Sequence, residues 1–563
     1  MSDKTPLSNN GQNMYSRRRF IQVAASVTTT GALLAACSQG EDTKLTKAKV
    51  DKAVPGEQVT ATVNAAKGKT YFPSGDPRIP DAYTAPLPPY QSVQYVPGRG
   101  GTVRSVCMSF LPLPAPKDQN KYWQELNKRL NVDWQPSLIP ATSYPDKVGT
   151  LLASGDMPEL FLVDTSSSPA VIPALQQGAF TDLTEYLSGD GLKDYPNISR
   201  IAPNVWKNIS FEGKIYGVPR PRALIGVTML WRNDWAKKAG MEHIQNGEDF
   251  FKVLQYFTKN DPDGNKKADT WGLGYIYGTA SYIFQMFGAP NGWRQDSSGK
   301  LVNSVETEEF KAGMGYLHRL YAAGLFHPDS FTQTITQAKN GLIAGKFGGY
   351  VDGYVGWWGE RSGVRKVDPN GDITVLLPVS GNGNTPVHHM GTGHYGFAAI
   401  PSQYGGDREK VKELLRIMDY LTAPIFSSEN DFLKYGVDGV DNKTTDGKKV
   451  LTDTGQKDIG ELVYIGNSVP AFYNSEEPDF ALMEQKAVSD LIKMGVSNAV
   501  TGLYSPTATK QGAKMSQIYN DHFLRIVKGL DPLSSIEQWR NDWKKNGGDQ
   551  MRKEYEEALS KKS

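Results

Sequence analysis

The stretch from Val103 to Val163 constrains the fold more than any other, because it alternates two periodicities. An apolar, strand-like run, Val103 to Phe110, is followed by a helical stretch that sets Trp123, Leu126 and Leu130 on one face. A second strand-like run, Val132 to Ile139, comes next. A further helix has Pro145 near its start, Val148, Leu151 and Leu152 along one face and Gly155 at its end, and leads to the short strand Leu160 to Val163. Strands that alternate with helices in this order pair in parallel, and the helices cover the sheet. The predicted class is therefore α/β. In open sheets of this kind, ligands lie off the carboxyl ends of the strands, which here are Phe110, Ile139 and Asp164.

The N-terminus reads as a targeting segment and stays outside the fold. Ser16-Arg17-Arg18-Arg19-Phe20-Ile21-Gln22 precedes a mildly apolar stretch, Ile21 to Ala36, that ends in Leu34-Ala35-Ala36-Cys37. The arginines resemble a twin-arginine export signal. The Leu-Ala-Ala-Cys run resembles a lipobox, in which small residues admit a signal peptidase and the thiol of Cys37 takes a diacylglyceryl group. A transmembrane anchor is the rival reading, but the apolar stretch falls short of the roughly 20 residues a bilayer requires, and it gives Cys37 no role. The expectation is a signal peptide over 1–36, lipidation at Cys37, and a protein on the outer face of the cytoplasmic membrane.

From Ser38 to about Gly98 the sequence is polar and proline-rich, as in Thr84-Ala85-Pro86-Leu87-Pro88-Pro89. Such composition buries little, so residues 37–98 read as a spacer. The body beyond it is too long for one ordinary core, and two lobes are expected. The run Leu224 to Trp231 reads as a crossing between them, Ile373 to Pro378 as a return, and Tyr395 to Ile400 as a third passage. The boundaries that follow are 99–222 with 373–400 for the N-terminal lobe and 223–372 with 401–563 for the C-terminal lobe. Several crossings make a hinge beneath a cleft.

Lys and Arg number 62 against 60 Asp and Glu, a near balance that argues against nucleic acid as a partner. With Cys37 lipidated, Cys107 alone remains, which excludes a disulfide framework and a thiolate metal cluster.

Several phrases, in order, resemble the extracellular solute-binding proteins of carbohydrate ABC importers, in particular the large lipoprotein branch that includes alginate-oligosaccharide binders. They are Tyr144-Pro145-Asp146-Lys147-Val148 with Leu151 to Glu159, Gly178 to Leu187, the turn Gly213-Lys214-Ile215-Tyr216-Gly217-Val218-Pro219, and Trp231-Arg232-Asn233-Asp234-Trp235. The stretch around Asp261 and the segment from Trp539 through Gly547-Gly548-Asp549 to Tyr555 complete the series. The resemblance implies a two-lobed, periplasmic-binding-protein-like fold with a hinged interlobe cleft. It also implies a protein that captures a sugar, performs no catalysis, and delivers its ligand to a membrane permease; a monomer is expected.

Sugars are held by aromatic faces against their C–H surface and by planar polar groups on their hydroxyls. Trp357 and Trp358, in a glycine-rich passage from Gly349, are the candidate stacking residues, and the resembling family commonly places an aromatic at such a strand end. Asp164 either accepts sugar hydroxyls or caps the following segment. Arg220 and Arg222, around Pro221, either meet a uronate or sulfate or pair with a carboxylate of the protein. Tyr395, Tyr144 and Trp231 are further candidates.

Asp261-Pro262-Asp263-Gly264-Asn265-Lys266-Lys267-Ala268-Asp269 spaces oxygen ligands like the start of an EF-hand loop, with Asp261, Asp263, Asn265, the Lys267 carbonyl and Asp269 as ligands for a structural calcium ion. Alginate-oligosaccharide binders carry a similar loop, from which this sequence departs at Thr270. A solvated turn is the alternative. His388, His389 and His394 fit no standard zinc spacing. A secreted glycosidase or lyase is the rival class, although nothing in the spacing selects a carboxylate pair. A lipoprotein that presents ligand to a membrane sensor is a third reading.

Overall fold

The computed structural model describes residues 66–560 apart from 165–169 and 446. The export signal, Cys37 and the first part of the spacer lie outside the described residues.

The alternating segment forms the first lobe. Asn120 caps the helix Lys121–Leu130 by accepting a hydrogen bond from the Trp123 backbone, and the helix closes at Asn131 in the left-handed conformation. Its buried stripe is Tyr122, Leu126 and Leu130. The expected Trp123 is half-buried instead, its indole N–H bonded to the Trp134 carbonyl. The second helix, Tyr144–Ser154, ends at Gly155 with φ of 72°, a conformation open to glycine. The helices connect the parallel strands Asp133–Pro140, Thr102–Ser109 and Leu160–Val163. The sheet is completed by His394–Ala399, antiparallel to both its neighbours, and by Gly217–Pro221 at the edge.

The second lobe has its own four-stranded sheet, in the order Ile373–Leu376, Val227–Arg232, Phe347–Gly353, Trp271–Leu273. Around it lie two separate buried clusters, one built on Trp231, Phe250, Phe257 and Trp539, the other on Phe347, Tyr350 and Phe480. The protein is thus α/β with two lobes.

Three expected boundaries change. The Leu224 to Trp231 run is not a crossing throughout: the passage occupies 222–226, and Val227–Arg232 is already a central strand of the second sheet. Ile373–Leu376 pairs with that strand and belongs to the second lobe, so the return passage is 377–393. Residues 401–465 do not join the second lobe. Val411, Leu414, Met418, Leu462 and Ile465 are buried in the first core, and the third passage comes at 466–479. Hydrophobic periodicity marks a helix face but carries no information on which of two cores that face joins.

The first two passages hydrogen-bond to each other: the Gly391 N–H donates to the Leu224 carbonyl and the Arg222 N–H to the Gly393 carbonyl. A Cβ at Gly391 would stand 3.1 Å from the Leu224 carbonyl oxygen, so glycine permits this approach.

The expected spacer is also corrected over 66–98, which is a docked arm. Tyr71–Phe72 pairs with Ala82–Tyr83, which pairs with Phe472–Tyr473 in the third passage. Ala82, Leu87 and Val93 are buried. The Ser92 N–H and hydroxyl donate to Glu429, and the Tyr95 hydroxyl donates to the buried Asp419, both in the first lobe. Gln485, on the helix Phe480–Lys493, donates to the Phe72 and Pro80 carbonyls. Proline lacks a backbone donor, so a proline-rich strand can pack with few backbone groups left to satisfy.

Beside Gln485, burial lifts the Glu484 carboxyl to about 8. Because the folded value lies above the ordinary 4.5, the stability linked to this group is fully present below pH 4.5 and is lost as pH rises through about 8. Between pH 6 and 9 the melting temperature of the parent protein should therefore fall more than that of a Glu484→Gln variant, as read by thermal denaturation across that range.

Candidate functional site

The first-lobe sheet directs a set of rings and cations toward the space between the lobes. As Thr102–Ser109 ends, the Ser109 hydroxyl and the Phe110 and Leu111 N–H groups all donate to the Glu461 carboxylate. That anchor fixes the turn and leaves the Phe110 ring 56% exposed. Phe110 meets Tyr395 and Tyr464 with ring centroids 6.2 Å and 5.8 Å away, and Tyr395 and Tyr464 lie edge to face.

Two guanidiniums cover this aromatic group. Arg220 stands 3.9 Å over the Tyr464 ring and donates from Nε to the Tyr464 carbonyl, while Arg222 stands 4.4 Å over the Tyr395 ring. Burial, with Arg222 nearby, lowers the Arg220 guanidinium below its ordinary value. Burial raises the Tyr395 and Tyr464 hydroxyls. A cation over a ring is attracted by its π face at about 0.5–2 kcal/mol, so the rings and guanidiniums hold one another's orientation.

Two cavities open here. One, of about 680 Å³, has Arg220, Arg222 and His394 on one side and Gly353, Tyr354 and Val355 of the second lobe on the other. Val355, at 74% exposure, presents an apolar side chain. The other, of about 600 Å³, has Asp164, His394 and Tyr395 facing Thr501 to Ser505 and Tyr555 of the second lobe. His394 lines both, and burial pushes its imidazole down to about 4, so it is neutral at physiological pH.

The structure therefore brings Asp164, Arg220, Arg222 and Tyr395 together. It does not bring the other candidates to them. Trp357 is 2% exposed: it opens the helix Trp357–Val367, where its ring packs against Phe480 and its indole N–H donates to the Ile373 carbonyl. Trp358 is half-buried and also leans on Phe480. Trp231 lies within the second core between Phe250 and Phe257, and Tyr144 is buried with its hydroxyl on the Leu162 carbonyl. Trp231, Trp357 and Tyr144, enclosed in this way, offer no face for a sugar. Phe110 and Tyr464 were not among the ring candidates drawn from the sequence. Tyr464 carries no local signal, since it reaches Arg220 across 244 positions of sequence.

The acidic loop is folded on itself. The Asp261 carboxylate accepts the Asn265 and Lys266 N–H groups, and the Asn265 side-chain amide donates to Asp263 and Asp269. The Lys267 N–H donates to the Asn265 side-chain oxygen. The Lys346 ammonium lies 2.8 Å from Asp269. Thr270, where the sequence departs from the resembling pattern, uses its hydroxyl to tie the loop to the Phe257 carbonyl. Among the described residues, no three His, Cys, Asp or Glu side chains are grouped to hold a metal ion.

No protein-family model matches the chain. Two relatives are similar over most of its length. The polygalacturonan/rhamnogalacturonan-binding protein YtcQ of Bacillus subtilis (strain 168) is 26% identical over 476 residues, covering 82% of this chain and 93% of the relative. Lipoprotein LipO of the same organism is 28% identical over 461 residues, covering 78% and 89%. Among solved structures, an HMO-binding, ABC-transporter-associated solute-binding protein of Bifidobacterium longum infantis aligns with a TM-score of 0.64 at 16% identity, over 82% of this chain and 99% of its own. The chain has the two-lobed fold of solute-binding proteins.

The different settings of the tryptophans and the exposed rings give a direct expectation. Trp357→Ala should cost about 3–5 kcal/mol of stability, as buried aromatic truncations do, and should leave the ligand affinity of the folded fraction unchanged. Phe110→Ala should reverse that pattern, with melting temperature nearly constant and affinity reduced, as measured by denaturation and calorimetry on the same preparations.

Proposed function

We propose that this protein captures a sugar or oligosaccharide between its two lobes, outside the cytoplasm, and delivers it to the permease of an ABC transporter. The observation that carries the reading is the cluster of Phe110, Tyr395 and Tyr464 with Arg220 and Arg222, set at the rim of the first-lobe sheet and facing the second lobe. Rings supply faces for the C–H side of a pyranose, and planar cations supply donors for its oxygens. The similarity to polysaccharide-binding YtcQ supports the same substrate class. Binding rather than turnover is supported by the likeness to YtcQ, which is named as a binding protein.

The sequence at Cys37 supports a lipid tether, made after export by the twin-arginine route, and the likeness to lipoprotein LipO agrees with it. No helix among the described residues is long and apolar enough to cross a membrane. The tether keeps the receptor beside its permease, and the described chain works as a monomer. Calorimetry with an oligosaccharide panel should give a Kd in the micromolar range or tighter, equivalent to about −8 kcal/mol. Chromatography of the same mixtures should show the sugars intact, and scattering should show compaction on binding. Cleavage that a single carboxylate substitution abolishes would sink the reading.

For the loop at 261–269 we infer a weak structural calcium site in which the ion and Lys346 compete for Asp269. Four side chains, Asp261, Asp263, Asn265 and Asp269, and the Lys267 carbonyl supply oxygens of the kind calcium takes. Exchanging chelator for millimolar calcium should raise the melting temperature of a Lys346→Ala variant more than that of the parent protein.

A further inference from the structure

We infer that the saccharide taken by this cleft is anionic, with an acidic group, a uronate carboxylate or a sulfate ester, held between Arg220 and Arg222. The inference rests on the saccharide-binding reading and adds the charge of the ligand to it.

Three other enclosed guanidiniums of this chain are paired with carboxylates. Arg232 is bound at 2.6 Å to Asp234, Arg361 to Asp372 and Glu477, and Arg552 to Glu306 and Asp549. In each case the fold supplies a carboxylate, because an enclosed charge without a counter-charge is costly. Arg220 is treated differently, as is the half-buried Arg416, whose Nε donates to the Pro97 carbonyl. The Arg220 Nε donates to the Tyr464 carbonyl and its plane rests on the Tyr464 ring, but among the described residues no carboxylate lies within 4 Å of it. Arg222, on the Tyr395 ring, has no carboxylate partner among them either.

The cavity in front of the pair sharpens the point. Its described lining includes Arg220, Arg222 and His394 and no Asp or Glu. Two acids face this region: Glu461, from the neighbouring loop, is engaged by Ser109, Phe110 and Leu111, and Asp164 lines the adjoining cavity with His394 and Tyr395. Stacking fixes the two guanidinium planes and leaves their edge N–H groups to donate. A fork of that kind fits the paired oxygens of a carboxylate or sulfate, which would supply the missing counter-charge. The charge of Arg222 acts unfavourably on Arg220, and an anion between them would relieve it.

The test uses matched pairs of probes on the full mature chain. Trigalacturonate is compared by calorimetry with its carboxyl-reduced counterpart, and a sulfated disaccharide with its desulfated form. The anionic member of at least one pair should bind ten times more tightly or better, with a preference that shrinks as salt is added. The preferred pair identifies the acidic group as carboxylate or sulfate. Arg222→Gln should remove at least tenfold of that preference, lowering the affinity of the anionic member far more than that of its neutral counterpart. Arg220→Gln should do the same; should it fail to fold, the exposed Arg222 position decides. Equal binding of charged and neutral members, or a preference that survives Arg222→Gln, overturns the inference and leaves saccharide capture standing. Binding by no member of any pair overturns saccharide capture as well.

Discussion

The backbone ladder that seats His394–Ala399 between Leu160–Val163 and Gly217–Pro221 is the contact on which the rest of the molecule depends. This strand arrives from the second lobe and pairs antiparallel with both neighbours in a sheet whose first three strands are parallel. Its insertion closes the first core and sets Tyr395 beside Arg222. It also lays the return passage against the outgoing one, so that Leu224 and Gly391 share a hydrogen bond at the boundary between lobes.

The arm at 66–98 adds a second constraint at the same boundary. It pairs with the third passage, reaches the second-lobe helix through Gln485, and reaches the first lobe through Glu429 and Asp419. Burial lifts the Asp419 carboxyl to about 7 although Tyr95 and the Asn197 and Ile198 backbones donate to it. The arm therefore touches both bodies that a closing motion has to move.

Between the lobes, chemistry follows from which side chains the strand ends can spare. Phe110 faces outward because Glu461 takes the polar groups of its turn, and Arg220 rests on the Tyr464 ring with no carboxylate within 4 Å of it among the described residues. Trp357, by contrast, is consumed by packing against Phe480. Its glycine-rich approach looks like a strand-to-loop passage in the sequence, but the chain turns directly into a helix there and the ring goes inward. The Glu484 carboxyl and the neutral His394 show the same economy of water near this boundary.

The sequence by itself determined the class of the fold and the order of its first layers, because strand and helix periods and their caps are local properties. It also carried an N-terminal stretch that resembles an export signal and a lipobox, which lies outside the described residues, and it marked Asp164, Arg220, Arg222 and Tyr395 as polar or aromatic groups at strand ends. Tertiary structure alone decided which lobe holds the helix Arg408–Leu421, that the proline-rich arm is docked, and that Trp231, Trp357 and Tyr144 are enclosed. It alone joined Tyr464 to Arg220. The physical reason is the same in each case. Amphipathicity says that a face will be buried but not against what, and an aromatic ring carries equal hydrophobic driving force into a core or toward a sugar. Only the long-range pairing of strands settles which neighbours it meets.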